Sequence, residues 1–125
     1  MLGMTHQLVA LVSALWLLIQ YPVSLGWVPG LLALIAVMLG AIMPDLDHPT
    51  ADLWQRFIGG RLVHRLFTVF AGGHRHFTHS LLGIIALGSG THYVMTHLLA
   101  PAYLPAGLVI WRAFMIGYIS HPLAD

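Results

Sequence analysis

Residues 74–80 read HRHFTHS and stand directly ahead of a long apolar run. They bring three imidazoles, those of His74, His76 and His79, close to the guanidinium of Arg75. Neutral imidazole is the commonest protein ligand for zinc and its neighbours in the transition series. A lone histidine is more often a satisfied core residue than a ligand. The stretch therefore indicates a metal site only if ligand-type side chains from other parts of the chain reach the same place.

The composition predicts an integral membrane protein with one domain, residues 1–125. The chain is 58% hydrophobic and 7% charged, whereas a soluble domain carries about 25% charged residues. Its net charge of +1 gives no basic footprint for nucleic acid, so no nucleic-acid partner is expected. The absence of cysteine excludes disulfides and a thiolate zinc site. Because no basic n-region precedes the first apolar run, we expect that run to be retained.

Four apolar runs predict about four transmembrane helices, at residues 7–21, 29–43, from 77 or 78 to about 100, and from about 106 to 120. Thr5 would cap the first helix, with His6 at its mouth. Residues 50–73 contain arginines opposite helically spaced apolar residues, which predicts an amphipathic helix at the membrane interface. The predicted fold is therefore an all-α integral membrane protein of about four transmembrane helices, with this interfacial helix between the second and third.

Helices that cross a membrane alternately would collect most of the ligand-type residues on one face. The start of the first and third helices and the end of the second and fourth lie on that face. These places hold His6, Asp45, Asp47, His48, His74, His76, His79, His121 and Asp125. Arginines at 56, 61, 65 and 75 share the face, and the opposite turns carry no basic residue. The positive-inside rule then places the cluster on the cytoplasmic side of a multi-pass protein.

Ionisable groups beside hydrocarbon are costly unless they are paired or coordinated, and a divalent cation removes that cost. Mixed aspartate and histidine sets suit zinc best here, with manganese or iron as alternatives. One tetrahedral zinc takes about four ligands, so a larger set favours two ions. The candidate metal ligands are His6, Asp45, Asp47, His48, His74, His79, His121 and Asp125.

A two-metal site of this kind suits phosphoester hydrolysis, because the ions stabilise both the attacking and the leaving oxygen. Arg75 would offer a planar fork to the phosphate. Either Asp45 or Asp47 could remain unbound to the metal ions and act as the general base. The candidate catalytic residues are therefore Asp45, Asp47 and Arg75.

Three motifs carry a family resemblance: PDLDHP at 44–49, GHRHFTHSLL at 73–82 and GYISHPLAD at 117–125. Together they resemble the YdjM-like family of inner-membrane proteins, described as predicted membrane-bound metal-dependent hydrolases. The resemblance implies an inner-membrane metal hydrolase. The spacing of His121 and Asp125 is also similar to one in zinc-dependent phospholipases C. Three departures matter: His76 stands where the family usually has a small residue, which implies that it is not a metal ligand, Pro122 replaces an ordinary aliphatic residue, and family members continue past the final aspartate. The chain is accordingly expected to be a truncated or naturally short form.

Other functions and simpler roles stay open at this point. A metal transporter or metal-binding module would use similar ligands, and a small membrane scaffold would use the polar helix ends only for assembly. A hydrogen-bonded polar cap is the simpler explanation of the cluster. For His6 alone, a role as an interfacial residue near a helix start explains the sequence nearly as well as ligation. Membrane lipids are expected partners, as substrate or surroundings, and homo-oligomers are expected because short helices bury little. On the opposite face, Arg112 is expected to reach Tyr93, His97 or a lipid phosphate.

Overall fold

The computed structural model describes residues 2–20, 24, 26–47, 60, 62, 65 and 79–124, with only the backbone for 2, 3, 46, 47 and 124. These residues form four α-helices: α1 (Leu2–Gln20), α2 (Trp27–Ile42), α3 (Leu81–Leu98) and α4 (Leu104–Ala124). Two 3₁₀ turns, Pro44–Asp47 and Pro101–Tyr103, follow α2 and precede α4. The all-helical prediction is confirmed for the described part of the chain.

The helix bounds differ from the predicted ones at three ends. Helix α1 begins before Thr5, so His6 lies inside the first turns of the helix and not at its mouth. Helix α3 begins later than predicted, because the Ser80 hydroxyl caps it by accepting a hydrogen bond from the Gly83 amide at 2.9 Å. Helix α4 continues through Pro122 to Ala124.

Helices α2 and α4 cross in backbone contact. A Cβ atom at Gly40 would collide with the Phe114 carbonyl oxygen, and one at Gly117 would collide with the Val37 carbonyl oxygen. The rest of the core consists mainly of small side chains, from Ala10, Ala33, Ala36, Val37, Ala41 and Ala113. Small residues let helix backbones approach closely, as is common where helices associate in membranes. The crossing fixes the end of α2 beside the end of α4.

The outer surface of this bundle is strongly apolar. Trp16 is 59% exposed, Ile19 77%, Leu82 69% and Leu98 79%. One helical stretch, Pro101–Leu123, is long and apolar enough to cross a membrane, while Met4–Gln20 and Trp27–Ile42 are shorter apolar helices. Length and composition thus do not confirm the predicted count of four spanning helices.

The predicted amphipathic helix at 50–73 lies mostly outside the described residues. Within that range the structure describes Gly60, Leu62 and Arg65, all helical, with Leu62 and Arg65 exposed.

Candidate metal centre

His121 lies completely buried near the end of α4, against the end of α2. Its Nδ1–H donates a hydrogen bond of 2.6 Å to the Ala41 carbonyl oxygen. Since a carbonyl oxygen only accepts, Nδ1 carries the hydrogen. In the neutral ring, Nε2 then offers a lone pair on the other side. Metal-binding histidines are usually oriented by such a bond from the second ring nitrogen to a backbone carbonyl.

Asp45 faces this lone pair from the 3₁₀ turn that follows α2. Its Oδ1 lies 3.3 Å from His121 Nε2, and the Asp45 side chain is 40% exposed. The adjacent Pro44 is fully buried, which holds the turn against the bundle. The carboxylate therefore joins a buried imidazole to the surface at one end of the bundle.

When both ring nitrogens of His121 carry hydrogen, Nε2–H donates to the Asp45 carboxylate, and this hydrogen bond lowers the pKa of the Asp45 carboxyl below its ordinary value. Partial burial acts in the opposite direction, and the nearby imidazoles of His121, His6 and His79 lower the pKa further. Asp45 is consequently ionised at neutral pH. An ionised carboxylate beside neutral imidazoles is a suitable donor set for a divalent cation.

His6 completes a group of three donors. Its side chain is 3% exposed, and its ring stacks on His121 with centroids 4.0 Å apart and an interplanar angle of 25°. One ligand atom each from His6, Asp45 and His121 lie within 4.8 Å of one another. Around tetrahedral zinc, ligand atoms lie about 3.3 Å apart if bonds are about 2.05 Å. The Asp45 to His121 distance already matches this value, and His6 needs only a small approach.

His79 lies beside this group without belonging to it. Its ring meets His121 edge-on, with centroids 5.2 Å apart and an interplanar angle of 71°. It directly precedes Ser80, the cap of α3, so the start of α3 is brought to the ends of α2 and α4. Its Nε2 is buried in the same region. The structure thus brings together four of the predicted ligands: His6, Asp45, His79 and His121.

The remaining predicted site residues cannot be placed. Asp47 belongs to the 3₁₀ turn, but its side chain is not described. His48, His74, Arg75, His76 and Asp125 lie outside the described residues. The predicted second ion and the predicted roles of Asp47 and Arg75 therefore remain predictions.

Sequence reasoning missed the backbone groups that orient the site. The Ala41 carbonyl reaches His121 only because Gly40 and Gly117 allow α2 and α4 to touch. Glycines inside apolar helices were the available signal, since glycine lowers helix stability and needs a packing reason. The signal does not identify which two glycines meet.

The polar group on α3 packs differently from the prediction. Trp111 Nε1 donates a hydrogen bond of 2.9 Å to Thr91 Oγ1, and His92 meets the Trp111 ring at 4.9 Å between centroids. His97 stacks on Tyr93 in its own helix. Arg112, in contrast, lines an apolar groove that α4 forms with α1 and α2. Trp111 thus joins α3 to α4 through Thr91 and His92.

Comparisons with known proteins give one family. The family model described as "YdjM inner membrane protein" matches residues 1–125. The inner membrane protein YdjM of Escherichia coli (strain K12) is 38% identical over 91 residues, which cover 72% of this chain and 41% of that relative. The protein of the same name from Shigella flexneri gives the same values. The matched part thus spans less than half the length of these curated relatives. No solved structure matches the chain.

Proposed function

Since the chain belongs to the YdjM inner membrane protein family, we propose that it is a membrane-bound, metal-dependent hydrolase of phosphoesters. The observation that carries the proposal is the meeting of His6, Asp45 and His121, whose ligand atoms lie within 4.8 Å of one another. The three residues come from α1, the turn after α2, and α4, so the group forms only when the bundle is folded. The substrate would be a lipid headgroup or another phosphoester at the membrane surface.

The membrane part of the proposal is a multi-pass protein in which the four helices cross alternately. His6, Asp45, His79 and His121 then share one membrane face, as their proximity requires. Helices shorter than the hydrocarbon layer thin the bilayer or draw headgroups inward. A site at their ends is accordingly open to lipid. The arginines of the same sequence regions support a cytoplasmic location of this face.

Metal binding follows from the tautomer of His121. With its hydrogen on Nδ1, bonded to Ala41, the neutral ring turns an electron pair toward a carboxylate oxygen 3.3 Å away. Two electron-rich atoms repel at this distance unless a cation lies between them. At low pH that cation can be a proton, and at neutral pH it can be a divalent metal ion. The two nitrogens and one oxygen of this set suit zinc, with manganese or iron as alternatives.

Three protein ligands leave one position of a tetrahedral site open for chemistry. A zinc ion in such a site acts as a Lewis acid and lowers the pKa of water to about 7. Asp45 and His6 would hold the ion, while the Ala41 carbonyl keeps His121 in the ligating tautomer. Asp47, two residues along the same turn from Asp45, would act in proton transfer. Arg75 would bind the phosphate. A second ion would be bound by Asp125 and by further histidines, including His48 and His74.

The experiment measures metal content and hydrolysis in the purified, detergent-solubilised protein. We expect bound metal near one or two ions per chain and turnover of phospholipid or of bis(p-nitrophenyl) phosphate. His121→Ala should weaken metal binding by at least about a hundredfold and abolish turnover. His97→Ala is the matched control, because His97 is an exposed histidine that contacts Tyr93 on α3. It should keep both properties.

The second candidate is a metal-binding or metal-transporting membrane protein. The described ligands favour the enzyme, because they gather at one end of the bundle and are not spread along its length. Stoichiometric metal without turnover of any ester would contradict the hydrolase and leave the metal site. Wild-type protein that holds no metal, with His121→Ala folding equally well, would instead favour a scaffold.

A further inference from the structure

A second feature of the bundle lies away from the His and Asp cluster. An apolar groove of about 390 Å³ runs between α1, α2 and α4. It is lined by residues of the second half of α1 from Leu11 to Leu18, of α2 from Gly30 to Val37, and of α4 from Val109 to Ile116. The groove thus begins near mid-depth and extends toward the end of the bundle opposite His121. Its size falls within the range of pockets that bind small molecules.

Among the described residues that line this groove, Arg112 is charged and the others are apolar. Arg112 occupies the middle of Pro101–Leu123, the stretch that is long enough to span a membrane. A guanidinium at such a depth is expensive without an anionic partner. Arg112 lies nine residues before His121 on α4, about 13 Å along the axis. Asp45, which contacts His121, is therefore too far to serve as that partner.

The need of Arg112 for an anionic partner and the apolar lining of the groove together define the class of ligand. We propose that the groove binds a membrane phospholipid, with one acyl chain along the apolar walls and the phosphate on Arg112. The planar fork of an arginine matches phosphate oxygens in a bidentate way. Side chains on a helix lean toward its N-terminus, so Arg112 reaches toward the Pro101–Tyr103 end. The headgroup accordingly lies in the membrane leaflet opposite the metal centre, and this lipid is not the substrate of that centre.

A second copy of the chain fits the groove less well. It would have to offer a carboxylate to Arg112 from within an apolar helix. All four acidic residues, at 45, 47, 52 and 125, lie outside the apolar runs. A phospholipid needs no such carboxylate, and the family is one of inner-membrane proteins.

The proposal is tested by native mass spectrometry of the full chain, purified in mild detergent and titrated with 1-palmitoyl-2-oleoyl-phosphatidylglycerol. We expect one tightly retained phospholipid per wild-type chain. Arg112→Gln should weaken retention at least about tenfold, because a charge-assisted hydrogen bond is lost, while Arg112→Lys loses less. Diacylglycerol, which has the chains without the phosphate, should bind wild type and Arg112→Gln equally. Inorganic phosphate should not displace the phospholipid.

A matched pair on α2 tests the groove independently of the charge. Leu34 lines the groove and is 45% exposed, whereas Leu31 is 59% exposed and does not line it. Leu34→Trp fills the groove and should reduce lipid retention at least about fivefold, roughly 1 kcal/mol. Leu31→Trp should leave retention unchanged. This pair decides the question if Arg112→Gln does not fold, and thermal unfolding in detergent reports whether each variant keeps the native bundle.

Three results would overturn the proposal. One is equal phospholipid retention by wild type, Arg112→Gln and Leu34→Trp. Another is equal loss in Leu34→Trp and Leu31→Trp, which would indicate a nonspecific annular lipid. The last is a wild-type dimer that carries no lipid and dissociates in Leu34→Trp, which would assign the groove to a second copy of the chain.

Discussion

Helix α4 packs against α2 and α3 in two different ways. Against α2, it meets backbone with backbone, through Gly40 and Gly117. Against α3, side chains fill the space: a Cβ at Gly88 would lie 2.9 Å from the Met115 methyl carbon, and Trp111 bonds to Thr91. The backbone atoms of α2 and α4 cannot move aside without shifting a whole helix, whereas a methionine side chain can adopt another rotamer. The α2 crossing therefore sets the geometry of the bundle, and the α3 contact adapts to it.

The difference matters for the proposed function because the candidate metal centre depends on the rigid crossing. His121 is oriented by the Ala41 carbonyl, next to Gly40, and Asp45 follows the same end of α2. His79, from the α3 side, only meets the edge of the His121 ring. We thus expect changes at the α2 crossing to alter both stability and metal binding, and changes at the α3 contact to alter stability alone.

Gly117→Ala should give the largest effect. The new methyl group would collide with the Val37 carbonyl oxygen and lie 2.9 Å from the Ala41 amide nitrogen, both backbone atoms of α2. Overpacking that must displace backbone should cost about 3 kcal/mol of unfolding free energy. The shift would also draw Ala41 away from His121. Thermal unfolding in detergent and metal analysis of the same sample measure the two effects.

A Gly117→Ala variant with wild-type stability would show that the two helices can separate easily. A variant that is destabilised but still holds metal would instead show that the His121 orientation does not depend on the close crossing. Either result would contradict the comparison of the two contacts.

Gly88→Ala should have a smaller effect, about 1 kcal/mol or less. The neighbouring atom is the end of the Met115 side chain, which can rotate away. Metal content should match that of the wild type, because α3 contributes little to the orientation of His121. The same thermal and metal measurements apply. Gly90→Ala serves as control, since its methyl group meets nothing within 4 Å and alanine favours the helix by about 0.5–1 kcal/mol.

Much of this arrangement could be predicted from the sequence. The four apolar runs correspond to α1 to α4, and the family resemblance is confirmed. The alternation of helix directions brought His6, Asp45, His79 and His121 to one place, which the structure bears out. Prediction succeeded here because it needed only the order and approximate length of the helices.

The packing inside the bundle could not be predicted in the same way. Helices that expose Leu and Ile all around give no periodic signal for the side that faces a neighbour. Neither the crossing at Gly40 and Gly117 nor the position of Arg112 beside α1 and α2 follows from helix order. The predicted start of α1 was also wrong. Apolar content identifies the apolar run of the helix but not the polar turn before it, which contains His6.

The smallest expected effect is a pH dependence of stability, which again distinguishes the contact of α4 with α2 from its contact with α3. The pKa of Asp45 is lowered from its ordinary value of 3.8, first by the hydrogen bond with His121. A lowered pKa means that the ionised carboxylate stabilises the fold above about pH 4. This contribution is lost as the pH falls through the folded-state value. Because the side chain is 40% exposed, water screens the interaction and keeps the effect small.

The measurement uses protein stripped of metal by a chelator, so that ligand release does not contribute. Unfolding temperatures of wild type and Asp45→Asn are compared between pH 6 and pH 3. We expect the gap between the two to narrow on acidification, since protonation removes the same charge that the substitution removes. The α3 contact of Gly88 with Met115 has no ionisable group, so Gly88→Ala should shift the curve equally at both pH values. A gap for Asp45→Asn that stays constant would show that the carboxylate acts through packing alone, and that the ion pair adds nothing to the rigid crossing.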